Sequence, residues 1–232
     1  APLRVGDLLG TELLGARENE VAICDSTTVN FFRLASAALS ARPDRRFIVT
    51  DRANFPTDRY VLEGLARDRD REIAWLDPDP IDGPTVADVE AALAAHEGDV
   101  ALVTLSHVNY RSAAIADLAA ITARAHGAGA LVLWDLSHSG GTLPVGLRES
   151  DVDLAVGCTY KYLNGGPGAP AYLYIRADLQ ASLRNPVQGW FGQAEQFEMG
   201  QGFRPAPGIG GWLTGTPGIL GLAAAEEGIR LS

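Results

Sequence analysis

The stretch VALVTLSHVNYRSAAIADLAAITARAHGAGALVLWD, residues 100–135, decides the fold class. Residues 100–105 are nearly all apolar, the pattern of a strand covered on both faces. Residues 113–126 then place Ile115, Leu118, Ala119 and Thr122 on one helical stripe, which Gly127 and Gly129 end. Residues 131–134, Leu-Val-Leu-Trp, return to strand. Strand, helix and strand in succession build a parallel pair joined by a helical crossover.

The same alternation runs outward in both directions. Short apolar runs predict further strands at 21–24, 46–50, 73–76, 154–158 and 171–175. A helix follows Ser26, Thr27 and Thr28 and reaches about residue 41. Another covers 85–96, with Val86, Val89 and Leu93 on one face and a capping box from Thr85 to Asp88. The chain is therefore expected to be α/β, a mainly parallel seven-stranded sheet sandwiched by helices. From about residue 185 the pattern loosens. Residues 188–193 and 208–218 are rich in Gly, Pro and Trp, and irregular stretches of that length usually serve a site or a subunit contact.

Composition narrows the function classes. Of 232 residues, 47% are hydrophobic, too many for a disordered chain. No apolar run approaches the roughly 20 residues that span a bilayer. A net charge of −10 argues against a nucleic-acid backbone as partner. Cys24 and Cys158 lie too far apart in sequence to suggest a disulfide framework or a metal cluster and read as buried thiols of a reducing compartment. The first residue is Ala1, no signal or transit segment precedes the first apolar stretch, and residues 223–232 read as a helix without a stop. The chain is thus expected to be part of a longer protein.

In an open α/β sheet, ligands bind at the carboxyl ends of the strands. Here those ends carry residues 26–28, 51–58, 106–110, 135–138 and 159–161, each cluster polar or aromatic. Lys161 is the only lysine of the chain and stands just past a buried strand. There it is either a solvated surface residue or a desolvated amine able to form a Schiff base. Asp135 ends a strand and either caps a turn or holds a cationic ring nitrogen. Thr27 and Thr28 sit where a helix begins, suited either to capping or to a phosphate. Phe55, beside Pro56, either staples the next helix or lies flat on a planar cofactor. The histidines are too scattered to make a metal site. The run GPGAPA at 166–171 precedes a strand, not a helix, so it is no dinucleotide fingerprint.

Five motifs, TTVN (27–30), FPTD (55–58), WDLSHSGG (134–141), YKYLNGG (160–166) and GWFG (189–192), together resemble the fold-type I pyridoxal phosphate enzymes and, among them, the kynureninase family. The resemblance runs over nearly the whole chain. It implies that Lys161 links to the cofactor aldehyde and shuttles protons, that Asp135 pairs with the pyridine nitrogen, that Phe55 stacks on the ring and that Asp58 contacts the cofactor beside it. It assigns the phosphate to Thr27 and Thr28, helped by Tyr160 and Ser106, and places His138 in the pocket wall. Trp190 and Thr216 would reach the phosphate of a neighbouring subunit, although many relatives carry Asn where Thr216 stands. Tyr160 is also a candidate proton donor, its alternative role being phosphate binding alone.

The implied cofactor is pyridoxal 5'-phosphate. The implied reaction is hydrolysis of L-kynurenine or 3-hydroxykynurenine to anthranilate or 3-hydroxyanthranilate and L-alanine, in tryptophan catabolism and NAD biosynthesis. The implied setting is a cytoplasmic homodimer with shared sites. Residues 1–232 would be the large cofactor-binding domain. An N-terminal segment and a small C-terminal domain, with the arginine for the substrate carboxylate, would lie outside this chain. The alternatives are another fold-type I lyase such as a cysteine desulfurase, which needs a nucleophilic cysteine on a mobile loop, or a non-catalytic fragment.

Overall fold

The computed structural model describes residues 1–232. Seven strands form one sheet: β1 (Val21–Ile23), β2 (Phe47–Asp51), β3 (Glu72–Leu76), β4 (Val100–Ser106), β5 (Leu131–Asp135), β6 (Leu154–Gly157) and β7 (Tyr172–Ile175). Their spatial order is β1-β7-β6-β5-β4-β2-β3. The pairs from β6 through to β3 are parallel, while β7 runs antiparallel to both its neighbours. All seven predicted strands are present, each within a residue or two of its expected bounds.

Six helices cover the sheet: α1 (Pro2–Leu9), α2 (Thr27–Ser40), α3 (Pro56–Asp68), α4 (Val86–Ala95), α5 (Leu118–Gly127) and α6 (Ile219–Leu231). Strand alternation divides the core into two layers. Leu131 and Leu133 point to the α2 side with Phe31, Leu34 and Leu39, while Val132 and Trp134 point to the other side with Val5, Leu9, Ile121 and Leu222. The expected capping box forms on α4, where Thr85 and Asp88 satisfy each other's backbone N–H.

Two local expectations need correction. The helix expected from residue 113 begins only at Leu118, because the Asp117 side chain accepts from the Ala120 N–H and sets the cap there. Ile115, expected on its buried stripe, is exposed and pairs in a single bridge with Val108. The cysteines do not lie within strands: Cys24 and Cys158 each follow the last residue of one, both buried and both free.

Candidate active site

The parallel strands point their carboxyl ends the same way, so the residues that follow β2, β4, β5 and β6 share one edge of the sheet. Asp135 ends β5 and pairs in register with Ser106 of β4 and Val156 of β6. Lys161 follows β6 by four residues. The turn that carries it is held from behind by α6. Gly228 sits so close to the backbone of Leu163, Asn164 and Gly165 that any Cβ there would overlap them.

The lysine is not solitary. Its Nζ lies 3.0 Å from His138 Nε2, 5.6 Å from the centre of the Phe55 ring and 5.7 Å from that of Tyr160. Burial, and then the positive charge of Lys161, lower the pKa of His138, which favours a neutral imidazole that accepts from the ammonium. Asp135 is buried and accepts from the Ser137 N–H at 2.8 Å. Asp58, on the first turn of α3, is buried against it. Desolvation first, and then the Asp135 carboxylate, hold the Asp58 carboxyl well above the usual range, with Lys161 opposing. One Asp58 oxygen is buried with no hydrogen-bond partner. The expected group of Lys161, Asp135, His138, Phe55, Tyr160 and Asp58 is thus brought together around one amine.

Ser106 serves this group indirectly. Its hydroxyl donates to Asn54 Oδ1 at 2.7 Å, the same atom that accepts the Phe55 N–H at 2.7 Å, so it fixes the entry to α3. At α2 the cap is Ser26, whose hydroxyl accepts from the Val29 N–H. Thr27 and Thr28 occupy the first turn, with no side-chain bond of their own to the helix, Thr27 half-buried and Thr28 exposed. Trp190 and Thr216 are exposed, and no hydrogen bond or ring contact ties them to Lys161. Their loops instead meet each other, where the Phe191 N–H donates to the Thr214 carbonyl at 3.1 Å.

Three further buried polar residues stand out: Asp51, part of the strand-end cluster 51–58 but given no role of its own, and Tyr172 and Arg33, which the sequence did not single out. Asp51, the last residue of β2, is buried with an unpartnered oxygen, and burial pushes its carboxyl up to about 6. Tyr172 lies under the site on β7, fully buried, its ring laid over Gly157 and its hydroxyl without a partner. Arg33 is fully buried in the middle of α2. The signals for Asp51 and Tyr172 were present, since one ends a parallel strand and the other faces a glycine on the next. Nothing in the sequence marked Arg33 among so many arginines.

Comparison with known proteins places these residues in context. The family model described as aminotransferase class-V matches residues 11–232. A kynureninase of Pseudomonas fluorescens is 43% identical over 97% of this chain and 53% of its own length. One of Burkholderia mallei is 45% identical over 98% of this chain and 54% of its own. The chain spans about half the length of the curated relatives it matches. Among solved structures, a cysteine desulfurase of Thermococcus onnurineus superposes with TM-score 0.84 at 21% identity, covering 98% of this chain and 55% of that one. A cysteine desulfurase of Escherichia coli gives 0.78 at 19%, covering 98% and 55%. At that identity the likeness is one of fold.

Proposed function

The chain belongs to the aminotransferase class-V family, and from that premise we propose that it holds pyridoxal 5'-phosphate beside Lys161. In this reading it is the cofactor-binding domain of an enzyme that hydrolyses L-kynurenine, or its 3-hydroxy form, to the anthranilate and L-alanine. The observation that carries this reading is the convergence of the only lysine, one imidazole and two buried carboxylates on a single sheet edge.

The residues fit the group. An aldehyde needs an amine, a pyridine nitrogen needs a carboxylate, a flat ring needs an apolar face, and a phosphate needs hydroxyls and free N–H groups. Lys161, Asp135, Phe55 and the start of α2 offer these in turn. The unpartnered oxygen of Asp58 is what a bound polar ligand would satisfy. When bound, the cofactor supplies an electron sink conjugated to the substrate's α carbon.

The chain's own groups do the rest. Lys161 Nζ takes the proton from the substrate's α carbon and returns it. Asp135 keeps the ring nitrogen protonated, and Asp58 contacts the cofactor beside it. Phe55 covers one ring face and excludes water. Thr27, Thr28 and Tyr160 hold the phosphate, with Ser106 helping through Asn54; after water adds to the substrate's γ carbonyl and the Cβ–Cγ bond breaks, the Tyr160 hydroxyl gives the β carbon its proton. His138 holds the amine by accepting from it. Trp190 and Thr216 complete the phosphate site of a second subunit, which makes the working unit a homodimer. The same reading places the protein in the cytoplasm, in tryptophan catabolism; no helix is long and apolar enough to cross a membrane.

The desulfurase alternative is disfavoured by the sequence comparison: the cysteine desulfurases share this fold at only 19–21% identity, whereas the kynureninases are 43–45% identical over nearly the whole chain. The decisive test adds pyridoxal phosphate and then L-kynurenine to the complete natural protein that carries this sequence. The expected result is an absorbance band of the lysine adduct, absent in Lys161→Ala, and release of anthranilate. Absence of the band sinks the cofactor reading. A Lys161-dependent band without anthranilate release sinks the kynurenine reading alone.

A further inference from the structure

We propose that Arg33 is a positioning residue which, with Asp25 and Thr214, fixes the two phosphate-facing parts of the chain relative to each other; this rests on the pyridoxal phosphate site proposed above. The Arg33 side chain is wholly shielded from solvent. Its guanidinium donates to the Trp212 carbonyl at 2.7 Å, to Asn30 Oδ1 at 2.7 Å and to Cys24 Sγ at 3.4 Å, and lies 3.2 Å from Asp25 Oδ2. Asp25 in turn accepts from the Thr214 hydroxyl at 3.0 and 3.1 Å. Asn30 closes the ring by donating to the Cys24 carbonyl at 2.9 Å.

One arm of this network ends at Asp25, immediately before the Ser26 cap of α2, and so sets where Thr27, Thr28 and the first free N–H groups of α2 face. Asp25 has φ +50°, a left-handed conformation that persists where its surroundings impose it. The other arm ends at Trp212 and Thr214, two residues before Thr216. The Thr214 carbonyl also accepts the Phe191 N–H, and Gly189 abuts the Thr214 backbone with no room for a side chain, so the turn bearing Trp190 rests on the same point. Four of the residues assigned to phosphate, Thr27 and Thr28 for the chain's own site and Trp190 and Thr216 for its neighbour's, therefore hang on one buried guanidinium. A buried ion pair is a poor device for stability, since apolar replacements often do as well. A planar fork that bonds three separate segments at once is a good one for geometry.

The test uses the complete natural protein. Thr214→Val removes the hydroxyl that Asp25 accepts from while nearly keeping its shape, and Arg33→Lys keeps the charge without the fork. For Thr214→Val we expect pyridoxal phosphate to bind about tenfold more weakly, the loss of a preorganised site. We also expect faster amide exchange in residues 24–30 and 187–192 of the cofactor-free protein, an unchanged melting temperature, and kcat at saturating cofactor close to that of the parent. Arg33→Lys should move affinity and exchange the same way; should it fail to fold, Thr214→Val decides alone. Unchanged affinity with unchanged exchange overturns the proposal, and so does a loss of affinity matched by a general loss of stability. If the parent protein takes up no pyridoxal phosphate, the proposed function falls, and the exchange result alone then decides whether the network holds the two loops.

Discussion

At the residue scale the site is a problem of crowded negative charge. Asp51, Asp58 and Asp135 are all buried at one edge of the sheet, and Lys161, held by His138, is the cation that opposes the raised Asp58 carboxyl. In the proposed chemistry an arginine could not replace it, because a guanidinium stays protonated and cannot act as a nucleophilic amine. The crowding has a measurable consequence. The Asp51 carboxyl, ordinarily at 3.8, is pushed up to about 6 by burial, with the backbone N–H groups of Ala53 and Asn54 opposing. A raised carboxyl means that the folded state holds its proton more tightly than the unfolded one, so its contribution falls as pH rises from about 4 through about 6. The difference corresponds to roughly 3 kcal/mol at most. Asp51→Asn should therefore stabilise the cofactor-free protein at pH 8 by about 1–3 kcal/mol and leave it nearly unchanged at pH 4. Urea unfolding at the two pH values checks this, and an equal effect at both would show that Asp51 is not buried as a charge.

At the element scale, α6 is what presses the Lys161 turn into place. Its Gly228 meets the backbone of Leu163 to Gly165, which cannot swing aside as a long side chain can. Gly228→Ala should cost about 1–3 kcal/mol through overpacking, although alanine is the better helix former. Gly64→Ala, inside α3 with open space around it, should be neutral or stabilising. Thermal unfolding of the pair separates packing from propensity, and equal shifts would refute the contact. These elements were unequally legible in the sequence. The strands declared themselves because buried parallel strands are apolar end to end, as in residues 100–105. The start of α5 did not, because Ile115 continues the helical stripe by chance while Asp117 alone decides the cap. Helix α1 carries no polar cap, and its place against β1 depends on the close approach of Gly6 to the Val21 backbone, a tertiary fact. Within the site, Lys161 was legible as the only lysine, just past a buried strand, and Asp135 as a carboxylate that ends one. Arg33 was not, since its importance lies in segments far along the chain, Trp212 above all.

At the scale of the whole molecule, Trp190 and Thr216 project from loops that leave no contact with the Lys161 group of their own chain. Trp190, Phe197 and Met199 also expose substantial apolar surface there. A two-fold dimer presents the same patch of each subunit to the other, so a loop that misses its own site can complete its partner's. The proposal that Trp190 acts across the interface then makes a prediction that no arrangement within one chain can mimic. Lys161→Ala and Trp190→Ala homodimers should each have little activity, the first lacking the amine and the second a phosphate contact in both sites. After the two proteins are mixed and allowed to exchange subunits, half the dimers should be hybrids. In each hybrid, the pocket of the Trp190→Ala subunit keeps its own Lys161 and receives an intact Trp190 from the other chain. Each hybrid therefore has one complete site of two, and the mixture should recover about a quarter of the parent activity. If Trp190 served the site of its own chain, every pocket in the mixture would carry a lesion and no activity would return.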